Sequence, residues 1–252
     1  MSRLFTLSIK IMPVSSRYQL IDILRGVAIA LMVFYHFCYD LSYFQLAGFD
    51  FYRDPVWLNL RTMIVSLFLG LVGVSLVLAT EHGINHRRYF KRLGLLLLFA
   101  LAISINSYFM FPGRTVVFGI LHFIAFASVA GLAFARWPVV SLLAGLGIIA
   151  LDRFYQHAFF DQAWVHWVGL MTHKPVTEDY VPVFPWFGVV LIGIFLGHQL
   201  QRATALRFVR TWQSNTPLAR GLALAGRHSL LIYMLHQPIM FGFLWATMQI
   251  LG

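Results

Sequence analysis

Charge is what this sequence has least of. Only 11% of its 252 residues are Asp, Glu, Lys or Arg, against 60% hydrophobic residues and a mean hydropathy of +0.76. A soluble domain carries roughly 25% charged residues, so a water-soluble enzyme or binding module is excluded. Acids are scarcer still, nine against 19 Lys and Arg, for a net charge of +10. In a soluble chain that excess would point to nucleic acid. In one this apolar it reflects basic loops on the cytoplasmic side of a bilayer, and no nucleic-acid partner is expected. The single cysteine, Cys38, excludes an intramolecular disulfide and a cysteine metal cluster. No HExxH, CxxC or phosphate-binding glycine loop occurs, and no metal is expected. There is no low-complexity tract and no internal repeat of the kind on which many transporters are built. Residues 1–19 are basic, with short apolar stretches and no signal-peptide hydrophobic region, and read as a cytoplasmic lead-in.

What the sequence has is long apolar runs. A span needs about 20 apolar residues, and seven segments approach that: 20–40, 57–80, 93–111, 116–135, 138–152, 184–201 and 229–251. The expected fold is therefore an all-α polytopic transmembrane bundle, with residues 20–252 as a single domain. Placing the N-terminus in the cytoplasm puts 14 of the 19 basic residues on the inner side. The aromatic segment 152–182 then lies outside, either as an interfacial helix at headgroup level or as a lid over an outward-facing site. Gly70 and Gly73 of the second span and Gly188, Gly193 and Gly197 of the sixth mark close helix contacts.

The first span, DILRGVAIALMVFYHFCYD, carries Asp22, Arg25, His36 and Asp40. At about 100° per residue, Arg25 and His36 fall within about 20° of each other, and both acids within about 60° of Arg25. A charge in hydrocarbon costs at least about 2.5 kcal/mol, so the stripe must face protein or water. Asp40, one turn beyond His36, is placed to hold the imidazole as a general base. Arg25 lies about 16 Å below His36 along the axis, which is roughly the length of a phosphopantetheine arm. The stripe therefore suggests a passage from a nucleotide held by arginines to a base near the far surface. The plainer alternative is that Arg25 pairs with Asp22 and anchors the helix end.

Further candidates sit elsewhere. Arg88 and Arg92, one turn apart in HRRYFKRLGLL, suit phosphate oxygens as well as an inner membrane boundary. His122 is the strongly polar group of the fourth span, as a second site residue or a structural hydrogen bond. Ser229, Tyr233 and His236 follow at i, i+4 and i+7 before Pro238, and share a face of the last span that suits a polar cavity. His157 and Asp161 are spaced as a metal pair would be, though a surface role explains them better.

These residues carry a resemblance. Asp22-x-x-Arg25-Gly26-x-Ala28 followed by His36 resembles the first-helix signature of membrane-bound acyltransferases. The run LMVFYHFCYDL resembles most a short bacterial branch related to heparan-alpha-glucosaminide N-acetyltransferase. FGILHFIA is similar to that branch's Gly-Val-Leu-Gln-Arg-Ile motif, with Gly119 matching and His122 at the Gln position. GRHSLLIYMLHQP is similar to the superfamily's last-helix motif at Gly226, Ser229, Tyr233, His236 and Pro238.

The resemblance implies a bacterial inner-membrane enzyme that moves an acyl group, typically acetyl, from cytoplasmic acyl-CoA to a hydroxyl or amine of a carbohydrate or glycolipid acceptor outside. Arg25, Arg88 and Arg92 would hold the CoA phosphates. His36 with Asp40 would activate the acceptor, and His122, Ser229, Tyr233 and His236 would shape its cavity. The competing expectation is a proton-coupled transporter or flippase in which the buried histidines relay protons. The oligomeric state stays open.

Overall fold

Hydrocarbon offers no partner to backbone amides and carbonyls, so a chain this apolar closes its hydrogen bonds within helices. The computed structural model describes residues 18–81, 83–110, 113–177 and 179–251, and has no β-strand among them. The helices are α1 (Gln19–Tyr43), α2 (Pro55–Thr80), α3 (His86–Met110), α4 (Ile120–Phe134), α5 (Pro138–Phe154), α6 (Val183–Arg202), α7 (Arg207–Thr211), α8 (Pro217–Arg227) and α9 (Ser229–Leu251). The expected lead-in lies outside the described residues as far as residue 17. Local chemistry sets several starts. Asp54 accepts from the Val56 amide ahead of Pro55, Thr216 accepts from the Ala219 amide ahead of Pro217, and Pro138 opens α5.

All seven expected segments are helices. Five of them (α1, α2, α3, α6 and α9) are long and apolar enough to cross a bilayer, which makes this a multi-pass membrane protein. The other two, α4 and α5, have 15 and 17 residues. At about 1.5 Å per residue they reach roughly 23 and 26 Å, short of a hydrocarbon core of about 30 Å.

Glycine decides which helices approach most closely. A Cβ at Gly73 would strike the Val190 carbonyl, and one at Gly193 the Gly70 carbonyl, so α2 and α6 touch backbone to backbone. A Cβ at Gly145 would lie 2.8 Å from the Gly188 carbonyl oxygen, which joins α5 to α6. The same device joins α1 to α8, with Gly26 against the Leu222 carbonyl and Gly226 against the Asp22 carbonyl. Van der Waals packing of this kind replaces the hydrophobic drive that lipid cannot supply. The core formed by α2, α4 and α6 includes Leu69, Phe123, Val190, Leu191 and Ile194, all fully enclosed. By contrast, α3 packs on α4, and α9 packs on α1 and α8.

The segment between α5 and α6 contains two single 3₁₀ turns, Ala158–Asp161 and His166–Val168, and no longer helix. Among the described residues the segment thus forms no interfacial helix, one of the two alternatives expected for it, and α5 ends at Phe154 as a separate element. Local side-chain bonds compete with helix here. Asp161 accepts from the Thr172 amide and hydroxyl at 2.8 and 2.7 Å. Gly169 turns the chain at φ +94° against Phe184. The Tyr180 hydroxyl donates to the His166 carbonyl at 2.7 Å, and Thr177 donates to the Thr115 carbonyl at 3.1 Å. These bonds fasten the segment down as a lid.

Candidate active site

The Asp-x-x-Arg-Gly motif and the Gly-Arg-His-Ser motif meet in space. Where α1 and α8 touch at Gly26 and Gly226, buried Asp22 receives two guanidinium groups: Arg25 Nη1 at 3.0 Å and Arg227 Nε at 3.2 Å. Arg25 Nη2 also donates to the Ser75 hydroxyl of α2 at 2.9 Å. Arg92 on α3 stands within electrostatic reach of Arg25. Arg88 is exposed, and its backbone amide donates to Asn85 Oδ1 at the start of α3. The charges of both expected phosphate-binding clusters thus gather toward one end of the bundle, and Asp22 neutralises part of them.

Further along α1 lies a cavity of about 1040 Å³, bounded by α1, α2, α3, α9 and the lid. That is the upper size range of small-molecule sites. His36, Asp40, Tyr233, His236 and Gln237 line it. His36 and His236 stack at 5.0 Å between ring centroids, with an interplanar angle of 59°. His236 Nδ1 lies 2.7 Å from the Tyr233 carbonyl, which can only accept, so Nδ1 carries the proton. Nε2 is then a bare acceptor, and it is buried without a partner. Gln237 Oε1 and Asp40 Oδ2 are likewise buried and unpartnered. Buried polar atoms are almost always hydrogen-bonded, and these three unpartnered atoms belong to residues that line one apolar cavity, each enclosed behind its wall.

The structure corrects three parts of the expected site. Asp40 does not hold His36: its Oδ1 accepts from Gln237 Nε2 at 2.7 Å, and it is His236 that is oriented for base chemistry, by a backbone carbonyl. The cavity does not reach Arg25. On α1 its lining runs from Tyr43 down to Ile29, one turn short of Arg25, and Arg88 and Arg92 do not border it. Spacing along one helix carries no sign that Arg25 Nη2 reaches Ser75 on α2 at that turn. Third, the Ser229–Tyr233–His236 face is only partly cavity, because Ser229 is not among its lining residues.

His122 lies off the cavity. Its Nδ1 accepts from the Gly119 amide and its Nε2 meets the Ser104 hydroxyl, both at 3.3 Å, so it caps α4. His157 Nδ1 accepts from the Phe159 amide, while Asp161 faces Thr172 and His173. No group of three His, Cys, Asp or Glu able to hold a metal occurs among the described residues.

Gln237, Arg61 and Asp179, all on the cavity, were not among the residues expected from sequence. For Arg61 the available signal was its position in NLRTMIV, about 9 Å inside α2. Asp179, in the polar TEDYVP run, borders the cavity and accepts from the Ile120 amide at 2.9 Å and from the Tyr233 hydroxyl at 3.3 Å. It thus places a carboxylate at the α4 N-terminus, on the Gly119 that the motif reading singled out. Burial raises the Asp179 carboxyl above the usual carboxylate range, against the opposing pull of the Ile120 amide, the Tyr233 hydroxyl and the Lys174 charge. The folded state therefore holds this proton more tightly than the unfolded chain. The contribution is fully present below the ordinary value of about 4 and is lost as pH rises through the raised one. Thermal unfolding between pH 4 and 7 should show wild type losing more stability than Asp179→Asn, and parallel curves would contradict this.

Residues 17–238 match the family model described as heparan-alpha-glucosaminide N-acetyltransferase, catalytic. No curated protein and no solved structure matches the chain.

Proposed function

Because the chain belongs to the heparan-alpha-glucosaminide N-acetyltransferase catalytic family, a family of transferases, we propose that it is a membrane acyltransferase that takes an acyl group, most simply acetyl, from acyl-CoA. The observation that carries this reading is the His36–His236 pair lining the cavity, with His236 Nε2 unpartnered just behind the wall. In this reading the acceptor hydroxyl or amine donates its hydrogen bond to His236 Nε2. As the acceptor atom attacks the thioester carbonyl carbon, Nε2 takes the proton, and the Tyr233 carbonyl steadies the resulting imidazolium through Nδ1–H. His36 lies against the reacting groups, and the Gln237–Asp40 pair fixes that wall of the cavity. The carbon–sulfur bond breaks, the CoA thiolate leaves, and the imidazolium returns the proton to it. An acylated acceptor and free CoA result. General-base help of this kind is worth about 10²- to 10⁴-fold.

The Asp22 end is assigned to the cytoplasm, on the side where the basic residues gather, with α1, α2, α3, α6 and α9 crossing the bacterial inner membrane and α4 and α5 packed among them in one domain. Arg25, Arg88 and Arg92 bind the CoA phosphates. These phosphates compete with Asp22 for Arg25 and Arg227, and that exchange opens the turn between Arg25 and Ile29 to the pantetheine arm.

Titration of the purified protein with acetyl-CoA tests this. Arg25→Ala and Arg92→Ala should each weaken binding about tenfold, the scale of a lost charge-assisted hydrogen bond. Failure of wild type to bind acetyl-CoA at millimolar concentration would overturn the proposal.

A further inference from the structure

The cavity wall is uneven in a way that bears on the acceptor. On the loop side the lid is tied down by Asp161 to Thr172, by Tyr180 to His166 and by Thr177 to Thr115. On the side where α3 and α9 both border the cavity, the two helices do not pack closely along their length. Leu230 and Met234 of α9 reach the apolar core and close the deeper part of that seam. Beyond them the rim consists of Ala102, Asn106 and Met110 on α3 and Pro238 and Gly242 on α9, all exposed and all lining the cavity. Ile105, Ile239 and Phe243 flank the rim with large apolar side chains also exposed. Both helices are candidate membrane spans, so a gap bordered this way faces lipid tails in a bilayer.

Inside, Arg61 lines the same cavity and makes no hydrogen bond or ion pair among the described residues. Its charge acts on Tyr35, whose ring stands edge-on to His36 at 5.9 Å. An arginine at this depth is expensive to keep unless something anionic visits it, and its planar fork suits phosphate or carboxylate oxygens.

We infer that the acceptor is an amphipathic lipid with an anionic head, which enters sideways from the bilayer between α3 and α9. Its hydrocarbon chain stays in that cleft, its anionic group meets Arg61, and its hydroxyl or amine lies at the histidine pair. The last clause rests on the acyl-transfer reading; the binding route does not.

The test uses the full-length protein in phosphatidylcholine nanodiscs with a diazirine-bearing isoprenyl phosphate. The same chain ending in a neutral alcohol serves as comparator. Crosslinks should concentrate on residues 102–110 of α3 and 238–242 of α9, with the phosphate labelling about tenfold more strongly than the alcohol, as a charge-assisted contact implies. Arg61→Gln should abolish that preference and leave alcohol labelling unchanged, and Arg61→Lys should restore part of it. Gly242→Trp should reduce labelling by both probes. Labelling spread evenly over lipid-facing helices, including Leu143 and Leu146 of α5, would overturn the inference, as would equal labelling by the two probes. Acetyl-CoA binding measured on the same samples separates this outcome from failure of the acyltransferase reading. Acetylation of soluble amino sugars with none on a membrane lipid extract would leave the enzyme standing and remove the lipid acceptor.

Discussion

His236→Ala and His36→Ala should each lower acyl transfer by about 10²- to 10⁴-fold while acetyl-CoA binding stays at the wild-type level. The separation follows from position. Both histidines line the cavity beyond Ile29, whereas the arginines assigned to the CoA phosphates gather at the Asp22 end. His236 has the more specific role, because the Tyr233 carbonyl holds its proton on Nδ1 and leaves Nε2 bare. Removing that imidazole also removes the proton acceptor of the transfer step. Gln237→Leu, which strips Asp40 of its donor, should disturb the wall and cost less. Single-turnover transfer with labelled acetyl-CoA, read beside equilibrium binding, checks each point. Either alanine variant retaining more than a tenth of wild-type transfer would refute the histidine assignment.

Gly226→Ala should be among the most destabilising single-methyl changes in the chain. The added Cβ would strike the Asp22 carbonyl, which is backbone and cannot rotate away. Helices α1 and α8 must separate, and the Arg227–Asp22 contact at 3.2 Å separates with them. Overpacking of this kind costs about 1–3 kcal/mol, occasionally more. For a chain of this length that is roughly 2–12 °C in unfolding temperature. Gly221 supplies the control: it lies in the same helix, and a Cβ there meets nothing within 4 Å. Gly221→Ala should be neutral or gain up to about 1 kcal/mol from helix propensity. Equal unfolding temperatures for the two variants would show that the α1–α8 approach does not matter to stability.

Helix positions were largely legible in the sequence because hydrocarbon leaves a chain so few options. The expected span 57–80 became Pro55–Thr80, and 184–201 became Val183–Arg202. Gly73 and Gly193 likewise announced the α2–α6 contact, since small residues have one common use in membranes. The site was legible only along single helices. Periodicity showed that Arg25 and His36 share a stripe, but partners from other helices decide what a stripe does. Ser75 and Arg227 turned its lower half into an ionic seal, and Gln237 drew Asp40 away from His36. Asp179 was hidden for a related reason: a loop carboxylate carries no periodic signal, and only the fold brings it to the α4 N-terminus.

The closed turn below Ile29 matters beyond catalysis. A polar cavity that ran through the whole bundle would short-circuit the membrane's proton and ion gradients each time it filled with water. Here the cavity stops at Ile29, and the next turn of α1 is occupied by Arg25, tied at once to Asp22 and Ser75. The cavity thus ends as a well above this contact, and the Arg25–Asp22–Ser75 cluster stands between its floor and the basic end of the bundle.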